Sequence, residues 1–448
     1  MIKSAYLKRA FETMKTKHPY EEEFHQAVFE MLDAIDHIIN EHPEYQKNNV
    51  VERLLEPDRT ISFRVTWMNQ KGGVEVNRAY RVQYNNALGI YKGGVRFHHS
   101  VNVSILKFLA FEQTFKNALT PFLMGGAKGG SDFDPKGRSD EDIMRFCQAF
   151  MSELSRHIGD ELDVPAGDLG VGRREIGFMY GFYKKLQNKT TSAFTSKDPL
   201  YGGSLGRTEA TGYGLVYFAE EALKTMLKSS FKDKRVVISG SGNVATHAAR
   251  KAIELGAKVV AMSDTTGYIY NPHGLNIDAI SNLKLVKRLS LEEYTKLFEN
   301  SKFYPNSADI WNIKCDIALP CATQNELDEK GIRALIDNGV QLVGEGANMP
   351  VTKEGIDMLK RNKVIFAPGK AANAGGVLVS ALEISQNHQF FSYSFEKVDQ
   401  ILKESMQKIF KDVYDTSLKY NKKNDLLFGA NVYSFKRVAD AMIGQGVI

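Results

Sequence analysis

Arg235-Val236-Val237-Ile238-Ser239 runs without a break into Gly240-Ser241-Gly242-Asn243-Val244-Ala245, and the junction between them decides the fold. A short apolar, β-branched run followed by G-x-G-x-x-A and a helix-compatible stretch reads as strand, tight turn and helix. In such a unit the first glycine makes the turn and the second lets a pyrophosphate approach the backbone. The small third residue lets the helix pack closely on the strand, and the phosphate sits at the helix N-terminus. The motif alone is weak. Its place between a strand and a helix gives it weight.

Further short apolar runs follow at 259–263, 316–319, 341–344 and 364–367, most of them separated by helix-compatible stretches. Strands that alternate with helices in this way predict a parallel, doubly wound, Rossmann-like sheet. Each run ends in small or amide-bearing residues: Ser263-Asp264, Pro320-Cys321-Ala322-Thr323, Gly344 to Asn348, and Gly369 to Gly376 with Asn373 between. The carboxyl ends of the strands in an open α/β sheet form its ligand crevice, and these residues suit a nicotinamide and its ribose. Asp264 stands near the position that usually holds an adenine ribose hydroxyl, which favours NAD. Lys284, Lys287 and Arg288 follow, and they read either as partners of a 2′-phosphate or as an exposed helix face.

The first half has a different pattern. Phe24, Val28, Met31, Leu32, Ile35, Ile38 and Ile39 recur at helical spacing, which predicts an amphipathic helix over 21–40. Alternation at Ile61, Phe63, Val65 and Trp67, then from Val74 to Tyr84, predicts two strands joined by a turn at Gly72-Gly73. Residues 102–120 are apolar nearly all round and predict a buried helix that Pro121 ends. A boundary is expected near Gly202-Gly203-Ser204, which divides the chain into 1–203 and 204–424.

The chain has 448 residues, 43% hydrophobic and 25% charged, with a net charge of +5. This is the composition of a globular protein of two to four domains, and it gives no reason to invoke nucleic acid or membrane. Cys147, Cys315 and Cys321 are too few and too widely spaced for a disulfide framework, and read as reduced thiols of a cytoplasmic protein. The N-terminus has no apolar segment of the secretory kind. The histidines show no metal-ligand spacing. His98-His99, the only tight pair, reads as solvated or structural, so no metal is expected.

Four segments of the first half carry candidate chemistry. Lys128 stands among glycines in Gly125-Gly126-Ala127-Lys128-Gly129-Gly130, either as a solvated loop lysine or as a desolvated one with a depressed pKa that can exchange protons. Gln113 and Lys116 are three apart on the apolar helix and share a face. Lys116 therefore needs a partner, which is either a substrate carboxylate or a buried protein carboxylate. Lys92 precedes Gly93-Gly94. Asp168 lies in the glycine-rich stretch Asp163 to Gly172, and reads as a functional carboxylate or as a turn or N-cap aspartate.

Together, Lys92-Gly-Gly-Val-Arg-Phe97, Gly125 to Asp134, Val164-Pro-Ala-Gly-Asp168 and Ala367-Pro-Gly-Lys-Ala-Ala-Asn-Ala-Gly-Gly376 resemble the hexameric glutamate dehydrogenases of the short bacterial type, almost end to end. The resemblance implies an N-terminal α/β substrate and assembly domain, onto which helix 425–448 packs back, and a Rossmann-like dinucleotide domain. It makes Lys128 the catalytic lysine and Asp168 the proton-transferring carboxylate. Lys116 and Gln113 then hold the substrate α-carboxylate, Lys92 and Ser380 the γ-carboxylate, with Gly167 and Val377 lining the pocket. Thr211, Gly240, Ser241, Gly242, Asn243, Val244, Ser263, Asp264, Lys287, Ala322, Thr323, Asn348 and Asn373 match cofactor positions. The implied cofactor is NADP, with NAD possible. The substrates are glutamate, 2-oxoglutarate and ammonium, and the assembly is a homohexamer. Arg173 stands where the family often has a small residue.

Two other readings compete. A branched-chain or aromatic amino-acid dehydrogenase of the same superfamily would keep the lysine and aspartate but replace the γ-carboxylate anchors by apolar residues, and Lys92 and Ser380 argue against that. A non-catalytic dinucleotide sensor would have no use for a proton relay.

Overall fold

The computed structural model describes residues 2–447, which divide into two compact units. Unit 1 comprises residues up to Leu205 together with Val379–Ser394 and the segment from Asn431, and unit 2 comprises Gly206–Leu378 and Phe395–Ala430.

Unit 1 is built on a five-stranded sheet of β1 (Arg59–Met68), β2 (Val74–Asn85), β3 (Tyr91–Phe97), β4 (Gly126–Ser131) and β5 (Asp163–Gly167), in the order β1-β2-β4-β3-β5. The β1–β2 hairpin is antiparallel, with Trp67 opposite Glu75, and β2 is antiparallel to β4. β3 runs parallel to both β4 and β5. Helix Val103–Leu119 connects β3 to β4, with the Asn102 carboxamide accepting from Ile105 N–H as its N-cap. Helix Asp140–Leu154, capped by Ser139, connects β4 to β5. One core is aromatic: Phe133 stacks on Phe146 with ring centroids 3.8 Å apart, and Trp67, Phe97 and Phe150 meet Phe146 around it. A second lies where Phe24 and Tyr84 pack on Phe111 of the β3–β4 helix.

The helix expected over 21–40 is shorter, Glu22–Ile35. Beyond Ile35 the backbone bonding tightens, with Ile38 N–H donating to the Ile35 carbonyl, and the chain passes into a 3-10 turn at Ile39–Glu41. Ile38 and Ile39 stay buried, which is why their spacing looked helical.

Segment Val379–Ser394 and the chain from Asn431 are tied to unit 1 by polar contacts. Glu383 forms a buried ion pair with Lys197 at 2.8 Å, Gln386 donates to Ser204 Oγ, and Asn387 donates to the Gly202 carbonyl. Arg437 donates to the carbonyls of Ala118 and Thr120, and Tyr45 donates to Asp440.

Unit 2 holds a seven-stranded sheet in the order β12-β11-β10-β6-β7-β8-β9. The strands are β6 (Arg235–Ser239), β7 (Lys258–Asp264), β8 (Gly267–Tyr270), β9 (Lys302–Tyr304), β10 (Ile317–Pro320), β11 (Leu342–Gly344) and β12 (Ile365–Ala367). β12, β11, β10, β6 and β7 are parallel and buried, as their apolar runs predict. β8 and β9 extend the sheet antiparallel beyond β7, which the sequence reading did not foresee. The chain leaves β6 toward β7 on one side and returns to β10 on the other. The carboxyl ends of β6 and β10 therefore flank a topological switch point, where open α/β sheets bind ligands.

Candidate active site

Lys128 lies on β4, not in a loop, and is 5% exposed. The glycines around it mark the close approach of β3 and of helix Val103–Leu119 to β4. A Cβ at Gly93 would stand 1.6 Å from the Ala127 carbonyl oxygen, and one at Gly126 would stand 2.0 Å from Thr114 Oγ1. The Lys128 ammonium reaches Asp168 Oδ1 at 2.9 Å. Gly94 makes room for this pair, since a Cβ there would lie 2.8 Å from the Asp168 Cβ and 3.3 Å from Lys128 Nζ.

Asp168 directly follows β5. Its carbonyl accepts from Val171 N–H at 2.9 Å, which closes the glycine-rich turn. It is not an N-cap: the next helix, Arg173–Gln187, is capped at Gly172, whose N–H donates to Glu175 Oε2. The Asp168 side chain instead meets two cations, because Arg96 Nε donates to Oδ2 at 2.8 Å. Burial alone would raise the Asp168 carboxyl, but Lys128 and Arg96 outweigh it and hold it at about 2. Burial pushes the Lys128 ammonium below its ordinary value. Asp168 opposes that shift, and Arg96 and Arg81 add to it.

Behind the pair, Arg81 is fully buried and ion-paired to Asp163, with Nε 2.9 Å from Oδ2. Its Nη1 donates to the carbonyls of Gly93 and Gly94, which fixes β3 where it passes Lys128. Lys92 is 0% exposed on the same strand, in register with Val164 of β5. Asn117 holds the Lys92 carbonyl at 3.0 Å. Gln113 and Lys116 are half-buried on helix Val103–Leu119, and Gln113 donates to Asn117 at 2.6 Å. The deeply buried lysine of that helix is Lys107, paired with Glu21. Gly167 ends β5. Ser380 is buried in unit 1, and Val377 lies on the same helix, Gly375–His388, but on the unit 2 side of the boundary.

Several residues at this centre carried no role in the sequence reading. Arg96 was part of a quoted motif, yet nothing in sequence says that it faces a carboxylate 72 residues away. Thr195 Oγ1 and Ser196 Oγ are buried without a hydrogen-bond partner. Thr195 N–H donates to the Pro165 carbonyl of β5, and Ser196 lies beside Gly167 in the left-handed region at φ 70°. Its N–H donates to Glu383 at 3.0 Å, which holds it there.

In unit 2, Gly240 has φ 82°, and a Cβ there would press on Cys321 and Ala322. Gly242 has open space where a side chain would be, and helix Asn243–Glu254 begins immediately after it with no side-chain cap. This leaves backbone N–H groups available to a phosphate. Ser241 is buried, Val244 half-buried and Asn243 exposed. Ser263 Oγ accepts from Gly240 N–H at 2.9 Å, so Ser263 supports the turn. Asp264 is bound by Lys284 at 2.7 Å, by Leu291 N–H at 3.0 Å and by both Thr266 donors. Lys284 is thus a partner of Asp264, while Lys287 and Arg288 are exposed.

Ala322 and Thr323 are exposed after β10, and Ala322 N–H donates to Glu326. Asn373 Nδ2 donates to Asn348 Oδ1 at 3.1 Å and to the Ala347 carbonyl at 3.2 Å, while its own Oδ1 is buried without a partner. That orphaned acceptor fits the amide of a nicotinamide. Thr211 Oγ1 fills the space that a side chain at Gly376 would need. Glu345, inside the quoted Gly344 to Asn348 stretch, also had no assigned role. It is buried and accepts from Gly369 N–H at 2.6 Å and Val351 N–H at 3.3 Å, and burial raises it to about 7.

Cys147 and Cys315 are buried and Cys321 half-buried, all as free thiols. Among the described residues no helix is long and apolar enough to cross a membrane.

Comparison with known proteins agrees with this geometry. Residues 202–446 match the family model described as glutamate/leucine/phenylalanine/valine dehydrogenase. Residues 57–185 match the dimerisation domain of the same family. The chain is 51% identical to an NAD-specific glutamate dehydrogenase of Bacteroides fragilis, covering 99% of this chain and 100% of the relative. It is 47% identical to an NADP-specific glutamate dehydrogenase of Helicobacter pylori, again covering 99% and 100%. The solved structure of Plasmodium falciparum glutamate dehydrogenase superposes with a TM-score of 0.96 at 49% identity, covering 99% of this chain and 95% of that one. With both parts of the family matched and near-complete coverage of its relatives, this chain belongs to the glutamate/leucine/phenylalanine/valine dehydrogenase family.

Proposed function

We propose that the chain catalyses the reversible oxidative deamination of L-glutamate to 2-oxoglutarate and ammonium, with hydride transfer to NADP or NAD. The observation that carries this reading is the Lys128–Asp168 pair, 2.9 Å apart and buried on a sheet that also buries Lys92. A dicarboxylate needs two cationic anchors besides the catalytic lysine. In this reading Lys92 takes the γ-carboxylate and Lys116 the α-carboxylate, and Gln113, Gly167, Val377 and Ser380 are the other substrate residues.

Lys128 takes up and returns a proton at the water or ammonia that adds to the substrate α-carbon, and Asp168 relays protons to and from it. The oxygen of the keto product comes from water, and the amine leaves as ammonium. Each acid–base role of this kind contributes about 10²–10⁴-fold. The nicotinamide, when bound, supplies the acceptor or donor of hydride. Residues of unit 2 would hold it: Gly240 to Val244 the pyrophosphate, and Thr211, Ala322, Thr323, Asn348 and Asn373 the remainder. Ser263, Asp264 and Lys287 would hold its adenine-ribose end. Asp264 is already neutralised by Lys284, which makes the site tolerant of a 2′-phosphate and supports NADP use. Unit 1 is the substrate and assembly domain in this reading, and unit 2 the dinucleotide domain. The dimerisation-domain match and the resemblance to hexameric enzymes support a homohexamer. The free thiols suit the cytoplasm.

The test is oxidation of L-glutamate, L-leucine and L-valine with NADP and with NAD. Turnover of glutamate far above the other two is expected. Preference for leucine or valine would move the chain to the branched-chain reading.

A further inference from the structure

We propose that His98, His99 and Asp134 form a binding site for a divalent transition-metal ion, best suited to zinc. Each residue offers one ligand atom, and these atoms all lie within 4.8 Å of one another. Two imidazoles and a carboxylate make a donor set that favours zinc, cobalt or nickel over magnesium or calcium, which prefer oxygen ligands.

The sheet supplies the scaffold. Phe97 and Ser131, the last residues of β3 and β4, are register partners, and His98 N–H donates to the Ser131 carbonyl at 3.2 Å. The Val101 N–H to His98 carbonyl bond, 3.0 Å, closes the turn that carries the two histidines. Their rings are converged, with centroids 4.0 Å apart. Asp134 leaves the adjacent strand three residues after Ser131, so ligands from two chain segments meet at one end of the sheet.

Supporting groups are also present. His98 Nδ1 is 2.8 Å from Ser100 Oγ. Ser100 N–H also donates to Nδ1, at 3.3 Å, so Ser100 holds the ring in orientation, as the partner of a ligating imidazole does. Asp134 Oδ1 accepts from Lys136 N–H at 2.9 Å, while Oδ2 faces His99 Nδ1 at 3.3 Å. Ligands bonded to zinc at about 2.0–2.2 Å stand roughly 3–3.5 Å apart in a tetrahedron. The side chains must close by about an ångström, and the His99 side chain, 71% exposed, has the freedom to do so. The same exposure opens an entry path and leaves a position for water.

A bound ion would staple the end of β3, which carries Lys92 and Arg96, to the end of β4, which carries Lys128. Its consequence is therefore stability, and the proposal is independent of the reaction assigned above.

The test is calorimetric titration of the chelator-stripped full-length protein with zinc chloride, together with thermal unfolding at rising zinc. One ion per chain and a midpoint that rises with zinc are expected. His99→Ala and Asp134→Asn should each weaken binding by more than about tenfold, the least that loss of a supporting partner costs, and leave turnover unchanged. Cobalt should give the visible absorption of a low-symmetry, four-coordinate site, lost in the same variants. Two results would overturn the proposal: no zinc uptake by the folded protein at millimolar concentration, or uptake unchanged in the His98→Ala/His99→Ala double variant.

Discussion

Arg96 donates its Nε–H to Asp168 Oδ2 at 2.8 Å, and so occupies the carboxylate oxygen that Lys128, bound to Oδ1, leaves open. Two cations on one carboxylate keep Asp168 ionised well below neutrality. In this account Arg96 is a positioning residue that sets the proton affinity of Asp168. Arg96→Met removes one of the two cations and leaves the burial that raises the carboxyl. The acid limb of the kcat/KM profile should therefore move up by about one pH unit or more, with Arg96→Lys restoring part of the shift. An acid limb that stays in place would show that Arg96 serves packing alone.

Removal of Lys128 separates chemistry from fold. In Lys128→Ala the Asp168 carboxylate keeps Arg96 as its partner, so no unpaired buried charge is left behind. The variant should retain its circular dichroism and lose about 10²–10⁴-fold in kcat. Steady-state rates at saturating substrate, read beside a thermal melt, check both halves.

Glu345 gives the pH dependence of stability a definite sign. Its carboxyl is raised from an ordinary 4.5 to about 7 in the folded protein. Between those values the folded state binds more protons than the unfolded one, so its stability falls as pH rises through the window and levels off above about 7. The decline is on the order of 1–3 kcal/mol. Urea unfolding at pH 5 and pH 8 should show this difference for the parent chain and a smaller one for Glu345→Gln. The variant will be less stable at both, because a carboxamide can accept from only one of the Gly369 and Val351 amides through its oxygen.

The contact at Gly93 is a purely steric case. With the Ala127 carbonyl 1.6 Å from the place of a Cβ, Gly93→Ala must force β3 away from β4. Overpacking of this kind costs about 1–3 kcal/mol or more, and it displaces the strand that carries Lys128. Chemical denaturation should show the loss, and kcat should fall with it although no functional group has been removed.

What the sequence made legible follows from how its elements are buried. The five parallel strands of unit 2 are buried, so they read as short apolar runs closed by small residues. β8 and β9 did not, because only two residues separate Gly267–Tyr270 from the end of β7, and Lys302–Tyr304 is three residues long and partly exposed. The helix after Glu22 was read too long because Ile38 and Ile39 stay buried after the helix has ended. Lys128 could be singled out from its glycines, but whether those glycines form a loop or closely packed strands depends on Thr114, Arg96 and Gly93, which lie far from it in sequence. The role of Arg96 was illegible for the same reason: its partner is fixed by the β3–β5 register, with Val95 opposite Gly167. Burial of Glu345 depends likewise on the loops that close over it.

The most direct measurement is the initial rate of NADPH loss with 2-oxoglutarate and ammonium, for the parent chain and Asp168→Asn side by side. The parent chain should turn over, and the variant should be slower by about 10²–10⁴-fold with its fold intact. An Asp168→Asn enzyme as fast as the parent would contradict the role of the Lys128–Asp168 pair, and a parent chain inactive with NADPH and NADH alike would contradict the reaction itself.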